Sequence, residues 1–434
     1  MSTLTTDQEK AAQAFFTFLM KGDSIFVLSG GAGVGKTYMM EHIHQNTMKT
    51  YEAACKLAGI HQAYDEVVFT ATTNRAAGVL EEVIGKRVST IHSYLNLKVT
   101  ENHTTGETTL EKNGLWKQHS KKIVFIDESS MVDTTLYKII LETLPGCKIV
   151  FVGDHAQMAP IHEEVSPVYK DVAPENFIFL GVPIRNAESP ALMALCKQLR
   201  ETVETGIFAP IQEVPGVIEY VDDSQMQDAL AHYFTKPTDK ARVLCYTNSR
   251  VQSFNQHIRE LRKLPEEFVV DEEIIFARAF ATKTGTVISA DREGCITSVG
   301  PLEADLDYEN IFSDRKPITY HVCEINMGIA GNITVRIATD PDRLQQAIKH
   351  FAGKENWPAY FQLKNTYADI RIKDACTVYK AQGGTYETIF MDIGNIGISF
   401  DAKRTARMLF VGASRASTRI FLYGSLPGRY TGWT

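Results

Sequence analysis

The sequence predicts an α/β protein with two domains built on parallel sheets, each interrupted by an insertion. Three observations carry this. Short apolar runs alternate with helical stretches up to about residue 180, the same rhythm returns after an irregular stretch, and a glycine-rich loop follows the first apolar run. In the first domain the strands are expected at Ser24–Ser29, Val67–Thr70, Ile123–Ile126 and Lys148–Val152, with helices at Lys36–Gln45, Asn74–Val83 and Thr134–Thr143. The alternation breaks at Asn96–Lys117, a polar stretch holding Thr104-Thr105-Gly106 and Gly114, which reads as an inserted hairpin. It resumes with a helix at Ala191–Arg200, a strand at Arg242–Tyr246 and a helix at Val251–Arg262. A strand at Ile389–Ile393, a helix at Ala402–Val411 and a strand at Arg419–Tyr423 complete it. Residues from about 265 to 375 differ in texture, with β-branched runs, Gly-containing turns and scattered aromatics, and read as a mostly β insertion.

The domains are therefore expected at 1–95 with 118–180, and at 181–264 with 376–434, the insertions being 96–117 and 265–375. A chain of 434 residues suits two to four domains. A composition 44% hydrophobic and 22% charged is that of an ordinary globular protein. With 45 Lys and Arg against 52 Asp and Glu, the net charge of −7 excludes a protein that coats a polyanion by bulk charge. A nucleic-acid partner then requires basic residues gathered locally in a groove. The seven cysteines are scattered and nowhere spaced CxxC, which argues against a disulfide scaffold or zinc site and for a reducing compartment. The polar start MSTLTTDQEK is not the pattern of a signal peptide, and no apolar run approaches the roughly 20 residues of a membrane span. The expectation is a soluble cytoplasmic protein without a membrane partner.

Gly30-Gly31-Ala32-Gly33-Val34-Gly35-Lys36-Thr37 fits GxxxxGK(S/T) in full, after an apolar strand and at the start of a helix. Glycines let backbone N–H groups turn inward around phosphate oxygens, and the helix N-terminus adds positive potential. Lys36 is placed to reach the β- and γ-phosphates of ATP, and the Thr37 hydroxyl to hold Mg²⁺. Ile123–Ile126 ends in Asp127 and Glu128. Asp127 is expected to hold the Mg²⁺ through water, and Glu128 to orient and deprotonate the attacking water. An acid pair favours hydrolysis over transfer, since a small-molecule kinase needs an acceptor pocket.

The order of motifs resembles the superfamily 1 helicases, and within them the 5′→3′ branch, superfamily 1B, of Dda-like and RecD-like proteins. Leu4-Thr5-Thr6-Asp7-Gln8 resembles the adenine-reading Q motif, with Gln8 able to satisfy a donor and an acceptor on the base edge. Thr72–Ala77, with Thr73 and Asn74, resembles motif Ia; Ser89–Ser93, with Thr90 and His92, resembles the TIHS segment. In the family both lie under the single strand and bind phosphates without reading bases. Gly153–Gln157 resembles motif III, whose Gln157 senses the γ-phosphate, and Met158-Ala159-Pro160 departs mildly from the usual continuation. Arg185 matches the motif IV arginine. Tyr246-Thr247-Asn248, followed by Asn255, resembles motif IVa. Thr377–Thr385 resembles motif V, with Gln382 and Gly383 assigned to the nucleotide and Tyr379 and Lys380 to DNA; Tyr379 stands where relatives have histidine. Val411–Ala416 resembles motif VI, where Ser414 replaces the commoner threonine and Arg415 is the second arginine finger.

The resemblance implies two RecA-like P-loop NTPase domains, a hairpin wedge at 96–117 and an SH3-like β insertion. It implies an ATP- and Mg²⁺-dependent DNA helicase, acting as a monomer on single-stranded and fork DNA beside a single-strand-binding protein. The setting it suggests is phage DNA replication, recombination or repair in a host cytoplasm. The alternatives are an RNA helicase, a RecD-like subunit of a larger machine, or a nucleic-acid-stimulated ATPase switch that does not unwind. Tyr94, Trp116 and the Trp357–Tyr360–Phe361 cluster are candidate base-stacking groups, although each type is more often core.

Overall fold

Six short segments, most of them apolar, line up in parallel as the first sheet, in the order Ser89–Thr90, Glu66–Ala71, Lys122–Asp127, Lys148–Gly153, Ile25–Gly30 and Phe177–Leu180. The structure, a computed structural model, describes residues 4–430 apart from 32, 65, 102–107, 161–162, 183–188, 266, 283–286, 289, 291 and 329–330. The central strands are mostly apolar and almost wholly buried because helices cover both faces. Alternate residues go to opposite sides: Phe26, Leu28 and Phe125 pack with Phe15 and Phe18 of the helix Thr6–Met20. Val27, Ile126 and Phe151 pack with Leu136 and Ile140 of the helix Thr134–Thr143. The helix opened by Lys36 runs on past the expected Gln45, through a π turn at Ile43–Thr47, to Ala58.

The hairpin Leu97–Glu101 with Thr108–Lys112 leaves this domain antiparallel. Leu97 and Leu110 lean on the apolar face beneath it, and the Trp116 Nε1–H donates to Thr143 Oγ1 at 3.1 Å. Lys112 sits 4.1 Å over the Trp116 ring and pairs with Glu142 at 2.5 Å.

The second parallel sheet runs Ala375–Thr377, Ala241–Cys245, Tyr386–Asp392, Ala416–Tyr423, Ile218–Val221. The helices Pro190–Thr205 and Ala402–Ala413 cover one face, and Asp223–Phe234 and Asn248–Leu261 the other. Ala156 and Met158, from the loop after the strand Lys148–Gly153, are buried in this second core. The two lobes therefore share packing.

Between Leu261 and Ala375 stands a five-stranded antiparallel sheet, in the order Asn332–Ala338, Ile318–Asn326, Glu293–Asp305, Glu273–Phe276, Ile370–Ile372. It also carries two helices, Pro341–Gly353 and Trp357–Thr366, that the β-rich texture did not suggest. Their start signals are present: Asp340 and Asn356 cap them, each with a proline in the first turn. Phe361 and Leu363 are buried, and Leu363, with Tyr367 just beyond the second helix, joins Leu344 and Ile348 of the first in a single apolar cluster. All seven cysteines are free thiols. Among the described residues no helix is long and apolar enough to cross a membrane.

Candidate active site

The phosphate loop leaves the C-terminal end of the strand Ile25–Gly30 and ends where Lys36 opens a helix. Gly35, the residue before that helix, has φ +81°, a left-handed conformation that glycine adopts without strain. At Gly30 a Cβ would lie 2.7 Å from the Leu180 carbonyl oxygen, so the strand end tolerates only glycine. Lys36 Nζ donates to the carbonyls of Gly30 and Gly31 at 2.8 and 2.9 Å, which holds the ammonium inside its own loop. Thr37 is half-buried beside it, and Ala32 lies outside the described residues.

Gln8 is buried and works as a strut. It forms a capping box with Thr5, and its Nε2 donates to the Val34 carbonyl of the phosphate loop at 3.4 Å. Both ends of its amide thus have partners within the chain.

Asp127 ends the strand Lys122–Asp127, and Glu128 follows it. Burial of the Asp127 carboxyl and the neighbouring Glu128 push its pKa up to about 7, against the Glu128 N–H at 2.8 Å and Lys36. Glu128 itself has φ +52°, and its carbonyl accepts from Thr72 Oγ1 at 3.0 Å. Its carboxylate receives a hydrogen bond from the other lobe: Gln382 Nε2 donates to Glu128 Oε2 at 3.0 Å and to Ser130 Oγ at 3.2 Å. Gly383 follows against the same carboxylate, where a Cβ would lie 3.7 Å from Glu128 Oε1.

The turn Gly153–Gln157 is gripped from two sides. Asp154 is fully buried and paired with Arg200 at 2.9 Å, while Arg407 donates to the carbonyls of His155 at 2.6 Å, of Gln157, and of Glu164 at 3.0 Å. Gln157 is buried in this turn, with its Oε1 unpartnered. Arg200 and Arg407 were not singled out in the sequence, because no local pattern marks an arginine whose partners lie more than forty and two hundred residues away.

The arginine that the sequence assigns to the cleft is held within its own lobe. Arg415 is buried, donating to Val411 and Gly384 carbonyls at 3.2 Å each and to Ser414 Oγ at 2.8 Å. Arg185 lies outside the described residues.

Of the residues expected at nucleic acid, Thr73 and Thr90 cap short helices, accepting from Ala76 N and Ser93 N at 3.2 Å each. Asn74 and Asn248 are exposed. Burial lowers the pKa of His92, so its imidazole is neutral near pH 7. Asn248 accepts from Arg371 at 3.1 Å, whereas Asn255 is a buried tie to the Ala375 backbone. Tyr379 packs half-buried against the second core, and Lys380 donates to the Ala277 carbonyl at 2.8 Å. Cations that the sequence did not single out, Arg242, Arg371 and Lys373, line one recess between the lobes together with Arg75 of the motif Ia segment and the expected Lys380. Arg75 crosses from the first lobe to donate to the Tyr386 hydroxyl at 2.9 Å. The stacking candidates go mostly to packing: Tyr94 stacks on His119 with ring centroids 5.0 Å apart, and Phe361 is buried.

Comparison with known proteins adds three findings. A family model described as an AAA domain matches residues 3–206, and one described as a UvrD-like helicase C-terminal domain matches 374–423. The ATP-dependent DNA helicase dda of Enterobacteria phage T4 is 22% identical over 96% of this chain and 98% of its own. The uncharacterized protein R530 of Acanthamoeba polyphaga mimivirus is also 22% identical, over the same shares. Among solved structures, the Pif1 helicase from Bacteroides in complex with ADP-AlF3 and single-stranded DNA aligns over 99% of this chain and 94% of its own, with TM-score 0.52 and 13% identity. That last likeness is one of fold.

Proposed function

We infer that this chain is an ATP-dependent DNA helicase of the superfamily 1B kind, translocating 5′→3′ on single-stranded DNA and unwinding duplex ahead of it. The observation that carries the reading is the hydrogen bond from Gln382 of the second lobe to Glu128 beside the phosphate loop of the first. A hydrolytic acid in contact with the opposite lobe couples ATP turnover to relative movement of the lobes.

The donor set suits Mg²⁺. Thr37 and Asp127 supply hard oxygens, and Asp127, its charge disfavoured by burial and by Glu128, is a carboxylate that a cation would stabilise. When bound, the ion would neutralise charge on the β- and γ-phosphates. Lys36 exchanges the Gly30 and Gly31 carbonyls for phosphate oxygens. Glu128, released from Gln382, accepts the proton of the attacking water. Arg415, and Arg185 with it, act as fingers once the cleft closes, which supplies roughly 10³–10⁵ in rate, about 4–7 kcal/mol. Closure then depends on the γ-phosphate, and its loss reopens the cleft. Thr73, Asn74, Thr90 and His92 of one lobe and Asn248, Tyr379 and Lys380 of the other grip the strand in alternation.

The hairpin at 96–117 is the wedge, rooted just after the His92 segment. The enzyme works as a monomer on single-stranded and fork DNA beside a single-strand-binding protein, and the phage relative suggests replication, recombination or repair as its setting. The test is ATP hydrolysis with and without single-stranded DNA. Strong stimulation is expected, and indifference to DNA would contradict the reading.

A further inference from the structure

We propose that Arg200 is a positioning residue for ATP hydrolysis, tying the Gly153–Gln157 turn to the phosphate loop. The inference rests on the ATPase reading above. Arg200 lies on the helix Pro190–Thr205, which packs in the core of the second lobe; its Nε pairs with Glu204 of the same helix at 3.2 Å, and its Nη1 reaches into the first lobe. Nη1 pairs with both oxygens of the fully buried Asp154, at 2.9 and 3.0 Å. The same nitrogen lies 3.6 Å from where a Cβ on Gly31 would stand, so the cation rests against the phosphate-loop backbone, whose Gly31 carbonyl accepts from Lys36.

Asp154 in turn shapes the loop that presents Gln157. Its Oδ1 accepts from Ala156 N at 3.1 Å, and its carbonyl accepts from Gln157 N at 3.0 Å. The guanidinium also lies over Phe179, 5.0 Å from the ring centroid, and 5.8 Å from that of Phe410. Phe410 belongs to the helix Ala402–Ala413, whose Arg407 holds the carbonyls of His155 and Gln157. One planar cation is therefore bonded to the Gln157 turn through Asp154 and lies close to both the phosphate loop and the helix that leads to Arg415. Nη2 is buried without a partner, although a buried cationic donor ordinarily finds one. A lysine could keep the charge beside Asp154, but not the planar fork that spans Asp154, Gly31 and two rings.

Two variants test this. Arg200→Lys keeps the ion pair, and Asp154→Asn with Arg200→Gln removes both charges together, so neither leaves a lone buried charge. Each is expected to lower DNA-stimulated kcat by about tenfold or more, with KM for ATP within about threefold of wild type. Affinity for ADP with aluminium fluoride should fall in step with kcat while affinity for ADP alone holds, a split that general loosening of the fold would not produce. Wild-type kcat in either variant, or equal losses of affinity for ADP and its fluoride complex, would overturn the proposal. Wild-type protein assayed alongside separates the two readings: if it does not hydrolyse ATP the functional reading falls, and if it does and the variants equal it, only Arg200 falls.

Discussion

The two lobes share a sheet architecture but hold their chemistry differently. In the first, Lys36 and Thr37 open the helix that follows one strand of the sheet, Asp127 ends another and Glu128 comes next, so each position follows from the strand or helix beside it. In the second, Gln382 reaches the cleft while Arg415 is bonded to its own Val411, Gly384 and Ser414. On the proposed function the first lobe binds the nucleotide, and the second supplies groups that complete the site when the lobes move. A change in the first lobe should accordingly disable the chemistry outright, and a change in the second should affect rate more than binding.

The largest expected effects are in the first lobe. Lys36→Ala should weaken nucleotide binding and abolish measurable turnover. Glu128→Gln should still bind ATP but lose about 10²–10⁴ in kcat, the usual contribution of a general base. Near-normal turnover by Glu128→Gln, read by phosphate release, would remove that acid from the mechanism.

Arg415→Ala sharpens the comparison from the other side. It should lower kcat by about 10³ or more with little change in KM or in DNA binding without nucleotide. A normal kcat would make Arg415 a structural residue of its own lobe, which its present hydrogen bonds would by themselves explain.

If the hairpin is the wedge, as proposed, it separates strand displacement from stepping. Leu97, Leu110 and Trp116 anchor it, so the change that spares the core is replacement of residues 100–109 by a short Gly-Ser turn. DNA-stimulated ATPase should stay within about twofold of wild type while most unwinding is lost. Unwinding at the wild-type rate would move the wedge elsewhere.

The smallest effect is one of stability. Asp127 in the fold titrates near 7 against an ordinary 3.8, so the folded chain holds this proton more tightly than the unfolded one. The cost of its charge is full above about pH 7 and fades as pH falls through that value. Asp127→Asn should therefore raise the metal-free Tm by a few degrees at pH 8 and by less at pH 6, while abolishing turnover. A Tm change independent of pH would show that the carboxyl is not strained.

The legibility of the sequence follows the same division. The phosphate loop and the Asp127 strand were readable because glycine positions, an apolar run and a terminal acid pair are local signals. The helix Thr134–Thr143 was placed to the residue for the same reason. The helices Pro341–Gly353 and Trp357–Thr366 were missed because β-branched neighbours outweighed two capping residues followed by prolines. Arg200, Arg407 and the recess around Arg75 were invisible because their partners are remote in the chain and adjacent only in the fold.

Strand displacement from duplexes carrying a single-stranded tail on one end, with ATP and Mg²⁺ present, is the decisive measurement of unwinding and its direction. Displacement is expected when the tail is 5′, with none when it is 3′ and none without ATP. Efficient displacement from 3′ tails alone would contradict the assigned direction, and ATP hydrolysis without displacement from either tail would contradict the helicase itself.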